Sequence, residues 1–304
     1  MLFLVSVFIS FRVFTSLQVK NEQYSKFNNR YSKIVNHEKT SLYLCFIMQQ
    51  TFYKYQGTGN DFVMIDNRQQ TFNKQDTNRI AFLCDRRFGV GADGLILLEN
   101  HPNLDFKMVY YNADGNESTM CGNGGRCLVA FAKQLGVITD TAVFEAIDGL
   151  HHANIKDGVV KLQMLDVVTV EKHENHVFLN TGSPHHVQFE EQIEDFDIKT
   201  KGATIRYGAP YNEAGSNVNF VKKISDQIFA VRTYERGVED ETLSCGTGVT
   251  AVAIAMHSLK QTDKNLITLK VQGGELQVAF DVDNGVYKNV WLIGPATYVF
   301  SGNL

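Results

Sequence analysis

The sequence holds no CxxC pair, no run of clustered histidines and no even set of cysteines. Its five, Cys45, Cys84, Cys121, Cys127 and Cys245, argue against a disulfide framework and against a structural zinc site, and no metal is expected. They suit a reducing compartment, and the cytoplasm is the expected location. Charge of one sign is also missing: 29 Lys and Arg against 33 Asp and Glu leave a net −4. That balance gives no electrostatic footprint for nucleic acid. Apolar runs long enough for a confident membrane span are absent too, so no membrane partner is expected. Met1 to Phe14 has the length of a signal h-region, yet it lacks a basic n-region and a small-residue cleavage site. Residues 1–47 are read as an N-terminal extension, disordered or a mis-assigned start, because strand-like sequence begins at once from Met48.

The 304 residues, 44% apolar and 20% charged, describe an ordinary globular chain long enough for two cores. Short β-like runs dominate from Phe52 onward, among them Leu95 to Leu98, Phe106 to Tyr111, Val159 to Leu165, Ile228 to Thr233 and Ile267 to Val271. Gly273-Gly274 and Asp283-Asn284-Gly285 sit between such runs where hairpin turns belong, which predicts antiparallel or mixed sheets. Gly89-Val-Gly-Ala-Asp-Gly94 matches GxGxxG by spacing alone. A dinucleotide site needs a strand before that element and a helix after it, and here the polar Cys84-Asp-Arg-Arg-Phe precedes it and an apolar strand-like run follows.

Two helical segments share one introduction: Cys121-Gly-Asn-Gly-Gly-Arg-Cys-Leu-Val-Ala-Phe-Ala and Cys245-Gly-Thr-Gly-Val-Thr-Ala-Val-Ala-Ile-Ala-Met. The first is expected to end at Gly136, a residue suited to a left-handed C-terminal turn. Val249 to Met256 is apolar on nearly every side, so that helix has to be enclosed by protein. The repeat predicts two similar units, each a curved sheet wrapped around a helix. A Cys-Gly-x-Gly start puts a thiol among unpaired backbone N–H groups at the positive end of a helix dipole. Such a place lowers a thiol's pKa from about 8.5, and the glycines let a carboxylate approach the amides. A single buried cysteine is usually inert; the same cysteine, glycines and apolar helix twice point to Cys121 and Cys245 as an acid and base pair. Glu235-Arg236, at the end of a strand-like run, suits an ammonium and a carboxylate.

With those residues in view, the chain from Met48 onward resembles the diaminopimelate epimerase family of pyridoxal-independent racemases. The resemblance rests on Gly57-Thr-Gly-Asn-Asp-Phe62, Asp85-Arg-Arg-Phe-Gly-Val-Gly-Ala-Asp93, Asn112-Ala-Asp-Gly115, Cys121-Gly-Asn-Gly-Gly-Arg126, Glu235-Arg-Gly237 and Cys245-Gly-Thr-Gly248. It implies an α+β fold of two pseudo-symmetric domains with the site in the cleft between them: 48–165 with 290–304, and 166–289. It implies cofactor-independent conversion of LL-2,6-diaminopimelate to the meso isomer, with Cys121 and Cys245 working on opposite faces of the α-carbon. The implied substrate contacts are Asn60, Asn112, Gly122, Asn123, Ser183, Asn217, Glu235, Arg236, Gly246 and Thr247, with His185 in support. Gly94 stands where some members have glutamine, and Ser183 where the family's Gly-Asn-Pro-His segment has asparagine. The expected partner is the small substrate, with a homodimer left open. Two alternatives stand beside this reading. One is a proline racemase-like enzyme of the same fold, against which Asn123 argues because histidine is typical there. The other is a silent amino-acid-binding protein.

Overall fold

The computed structural model describes residues 50–304. The expectations for residues 1–47, and for Cys45, lie outside the described residues.

The described chain builds the same topology twice. In the first half the hairpin Thr51–Gly57 and Asn60–Asp66 is followed by helix α1 (Thr77–Cys84), which crosses over to Gly94–Glu99, parallel to the hairpin's second strand. Phe106–Asn112 returns antiparallel. Helix α2 (Gly122–Gln134) then crosses over to Thr141–Ala146, parallel to Phe106–Asn112, and Gly149–Lys156 and Val159–Gln163 complete an antiparallel meander. The second half repeats each step. The hairpin Val177–Asn180 and Pro184–Phe189 leads through α3 (Ile198–Tyr207) to Asn217–Lys223 in parallel and back along Ile228–Glu235. Helix α4 (Gly246–Ser258) crosses to Leu266–Val271 in parallel, and Gly274–Asp283 and Val286–Pro295 close the meander.

The predicted mixed sheet is therefore present, and each parallel pair has the helical crossover that such a pairing requires. The two meanders join through their last strands, Val159–Gln163 against Trp291 to Pro295, with Leu162 opposite Leu292. After that junction Thr297–Asn303 pairs with Thr51–Gly57, and Val170–Lys172 pairs with Val177–Asn180. Each half thus has a strand added beside its opening hairpin.

The two central helices are enclosed as their composition requires. Val249 to Met256 has no accessible surface at all, and Cys127, Leu128, Val129, Phe131 and Ala132 of α2 are equally buried. Gly136 follows α2 in the left-handed conformation (φ 70°), and the turn Asn284-Gly285 (φ 51° and 81°) joins its two strands by the type I′ geometry expected of Asn-Gly. Gly94 opens a strand and α1 ends before the glycine loop. The order is helix, loop, strand, the reverse of a dinucleotide unit.

Candidate active site

Cys121 and Cys245 are the N-cap residues of α2 and α4. Both have extended backbones (φ −102°, ψ 122° and φ −121°, ψ 112°), and neither side chain caps its own helix. The thiols and the first-turn N–H groups are consequently left for something else. The helices meet end to end at the glycines that follow the cysteines: a Cβ built on Gly246 would lie 3.3 Å from the Gly122 Cα, and a Cβ on either glycine would lie 3.0 Å from Leu292 Cδ2. A side chain at either position would press on Leu292 and on the facing helix start. Leu292, on the strand that joins the halves, wedges beneath both helix starts.

Burial raises both thiols. The Cys121 thiol is pushed up to about 11 by desolvation, with the Gly124 and Asn123 amides pulling down and Glu235 pushing further up. Cys245, 6% exposed, is raised further by desolvation first and by Glu235 second, against the Thr247 hydroxyl and the Gly248 amide. Burial therefore opposes the lowering expected at a helix start. The amides act in the predicted direction, but a thiolate stripped of water and facing a carboxylate costs more than they return.

On the Cys121 side, the thiol donates to Asn60 Oδ1 at 3.5 Å. Asn60 cannot be turned round, because its Nδ2 donates to Asp93 Oδ2 at 2.7 Å and a carboxylate only accepts. Asn123 Nδ2 donates to the same Asn60 oxygen at 3.2 Å and to the Ser244 carbonyl at 3.0 Å, crossing to the other half. Asp93 is held by Arg86 at 2.7 Å, and Arg86 also grips Asp61, which pairs with Lys54. Burial works against the Asp61 carboxylate, but its hydrogen bonds to Arg86 and Lys54 prevail and hold it at about 2.

On the Cys245 side a chain of hydrogen bonds has a fixed direction. Asn219 Nδ2 donates to the His186 carbonyl at 3.1 Å, so the same amide group also donates to His185 Nδ1 at 3.1 Å. His185 is fully buried, and desolvation, with the Arg236 charge behind it, holds it neutral with its pKa down at about 3. Its proton therefore sits on Nε2, which donates to Ser183 Oγ at 3.0 Å. Asn217 Nδ2, oriented by the Pro184 carbonyl, donates to the same Oγ at 3.2 Å. With both lone pairs used, Ser183 has to donate to Thr247 Oγ1 at 3.2 Å. Thr247 passes its own proton toward Cys245 Sγ at 3.5 Å.

The other sequence-predicted residues converge on the same place with one partial exception. Glu235 faces Cys245 and accepts from Thr242 Oγ1 at 2.9 Å, and burial raises its carboxyl. The Arg236 N–H donates to Asn217 Oδ1 at 2.9 Å, while its guanidinium donates to the Ala214 carbonyl. Asn112 is the exception: it stands exposed at the end of its strand, directly opposite Gly94. Sequence reasoning passed over Asn219, Thr242 and the Thr58–Ser244 hydroxyl pair, which bridges the halves at 2.8 Å. Asn219 was within reach, since it lies two residues from Asn217 on a strand and so shares its face.

The family model for diaminopimelate epimerase matches residues 52–170 and 177–299. The chain belongs to the diaminopimelate epimerase family. A diaminopimelate epimerase from Flavobacterium psychrophilum is 63% identical over 249 residues, 82% of this chain and 97% of the relative. One from Chlorobaculum tepidum is 41% identical across 82% of the chain and 98% of its own length. Solved structures extend the family's fold more widely: a PhzF-family phenazine biosynthesis protein from Bacillus anthracis superposes with a TM-score of 0.67 at 12% identity, covering 84% of this chain and 99% of its own. A hydroxyproline epimerase from Agrobacterium vitis reaches 0.62 at 13% identity, covering 84% and 92%. At such identities these two speak for the fold alone.

Proposed function

We propose that this diaminopimelate epimerase family member converts LL-2,6-diaminopimelate to meso-diaminopimelate, in lysine and peptidoglycan precursor biosynthesis, by a two-base reaction between Cys121 and Cys245. The observation that carries the reading is the pair of thiols on two abutting helix N-termini, neither of them capping its own helix. One carboxylate seated between the helix starts would meet the first-turn amides of Gly122, Asn123, Gly246 and Thr247 together, and charge developing at the neighbouring α-carbon would fall in the same preorganised field. One thiolate removes the α-proton and the opposite thiol returns one to the other face. Burial and Glu235 raise both thiols, and the ammonium of an arriving substrate brings a positive charge that favours the thiolate. Asn60, Asn112, Ser183, Asn217, Glu235 and Arg236 are the proposed contacts for the rest of the substrate, and His185 acts through Ser183 and Thr247.

The proposed domains are 48–165 with 290–304, and 166–289, supported by the pairing of Thr297–Asn303 with the opening hairpin. A homodimer is the proposed assembly, with Tyr298, Val299 and Phe300, each more than two-fifths exposed on the last strand, as apolar surface to cover. The proposed location is the cytoplasm, in keeping with four free cysteines among the described residues.

Incubation with each diaminopimelate stereoisomer in heavy water tests the reaction, read as α-deuterium wash-in and change of isomer. Cys121→Ala and Cys245→Ala are each expected to lose about 10²–10⁴-fold in epimerisation. Full activity in either variant would exclude the two-base scheme. Turnover of proline or hydroxyproline in place of diaminopimelate would move the enzyme to the proline racemase side of the fold. Binding without α-exchange would make it a silent amino-acid-binding protein.

A further inference from the structure

We infer that the Tyr110 hydroxyl is a substrate-binding group of this site, accepting a hydrogen bond from an ammonium of the bound amino acid; the inference rests on the proposed epimerase reading. Tyr110 lies on the strand Phe106–Asn112, two residues before Asn112 and therefore on the same face. That face looks onto α2. Met108 reaches the first turn of the helix, its Cε 3.5 Å from where a Gly124 Cβ would be, and Phe62 reaches the same point. Tyr110 sits about 6.6 Å further along the strand than Met108, which carries it past that turn to the Cys121 end, where its ring meets Phe62 edge-on at 6.1 Å.

The ring then crosses to the neighbouring strand. A Cβ at Gly94 would fall 2.6 Å from Tyr110 Cε2 and 3.2 Å from Cζ, and 2.5 Å from the Tyr111 carbonyl. Gly94 is thus a notch that the tyrosine fills, and no side chain fits there while the ring occupies it. The contact that a residue at position 94 leaves vacant has an occupant from the next strand.

The hydroxyl's surroundings identify what it would hold. It takes no hydrogen bond from a described residue, and after burial the groups that raise its pKa are Cys121, Glu235 and Asp93 in that order. Of these neighbours Asp93 is already paired with Arg86 and the Cys121 thiol is pushed up by burial, so Glu235, without an ion pair among the described residues, is the carboxylate that faces the phenol oxygen. The polar group of a diaminopimelate that settles there is an ammonium, for which the phenol oxygen is an acceptor. The same pocket disfavours a carboxylate.

Tyr110→Phe removes only the oxygen and leaves the ring in its notch. Steady-state kinetics with LL- and meso-diaminopimelate are expected to show KM raised about tenfold, as suits a hydrogen bond to a charged group, with kcat changed far less and the thermal midpoint unmoved. Unchanged KM would overturn the inference, as would a lowered melting temperature with wild-type kinetics, which would mean packing alone. A shifted pH profile of kcat at wild-type KM would also overturn it, assigning the hydroxyl to the Cys121 thiol instead. Wild-type protein without diaminopimelate turnover would remove the epimerase reading and this inference together, whereas wild-type turnover with an indifferent Tyr110→Phe removes this inference alone.

Discussion

Cys121 shows how far a local pattern reaches into chemistry. The Cys-Gly-x-Gly start correctly places a thiol among helix amides, yet desolvation pushes that thiol up to about 11. The reactive form in alkylation is the thiolate, so in substrate-free enzyme the rate of iodoacetamide reaction at Cys121 is expected to climb about tenfold per pH unit from 7 to 9. Peptide mapping by mass spectrometry reads that rate, and a plateau below pH 8.5 would show a thiol that burial does not control. A saturating substrate analogue with an ammonium should bring the limb down, if it leaves the thiol reachable. Most of the site was legible residue by residue because the groups are polar, glycine-flanked and matched to a known family. Thr242, Thr58 and Ser244 were not, since each is an ordinary residue until a partner from elsewhere in the chain meets it.

Among the elements, the two central helices declared themselves by composition, whereas α1 and α3 did not. Each is short, eight and ten residues, with an aspartate N-cap, Asp76 or Asp197, whose carboxylate accepts the third helical N–H. Their weak apolar pattern hides them, and they exist because a parallel strand pair needs a crossover. The helix ends carry a testable asymmetry. Gly136 and Lys260 occupy equivalent places after α2 and α4, both left-handed (φ 70° and 58°) with a backbone N–H of the next residue closing on the helix. A lysine there bears a Cβ penalty that glycine does not. Lys260→Gly is expected to stabilise the protein by about 0.5–1 kcal/mol, the relieved strain less glycine's chain entropy. Urea unfolding measures it, and a loss of stability would show that the lysine side chain compensates its backbone.

For the molecule as a whole, the two halves meet at Leu292, which lies against both helix starts. Its Cδ2 packs against both Gly122 and Gly246, and its strand pairs with Leu162 across the junction. Leu292→Ala is expected to cost about 2–5 kcal/mol through the cavity it leaves, and also to lower kcat, because the helix starts lose their common wedge. Denaturation and kinetics on the same sample separate the two effects. A stability loss with wild-type kcat would mean that the helix ends are positioned by other contacts.

The amino-acid sequence by itself determined the repeat, the enclosed helices, the hairpin turns, the two thiols and the family, all of which rest on local pattern: glycine spacing, hydrophobic periodicity and residue order. Only the tertiary structure decided the burial of the thiols, the one-way hydrogen-bond chain ending at Cys245 and the passage of Tyr110 over Gly94. Those depend on desolvation and on contacts between residues far apart in the chain, Asn123 with Ser244 and Ser183 with Thr247 among them. Burial and donor direction are properties of the assembled neighbourhood, so no single segment carries them.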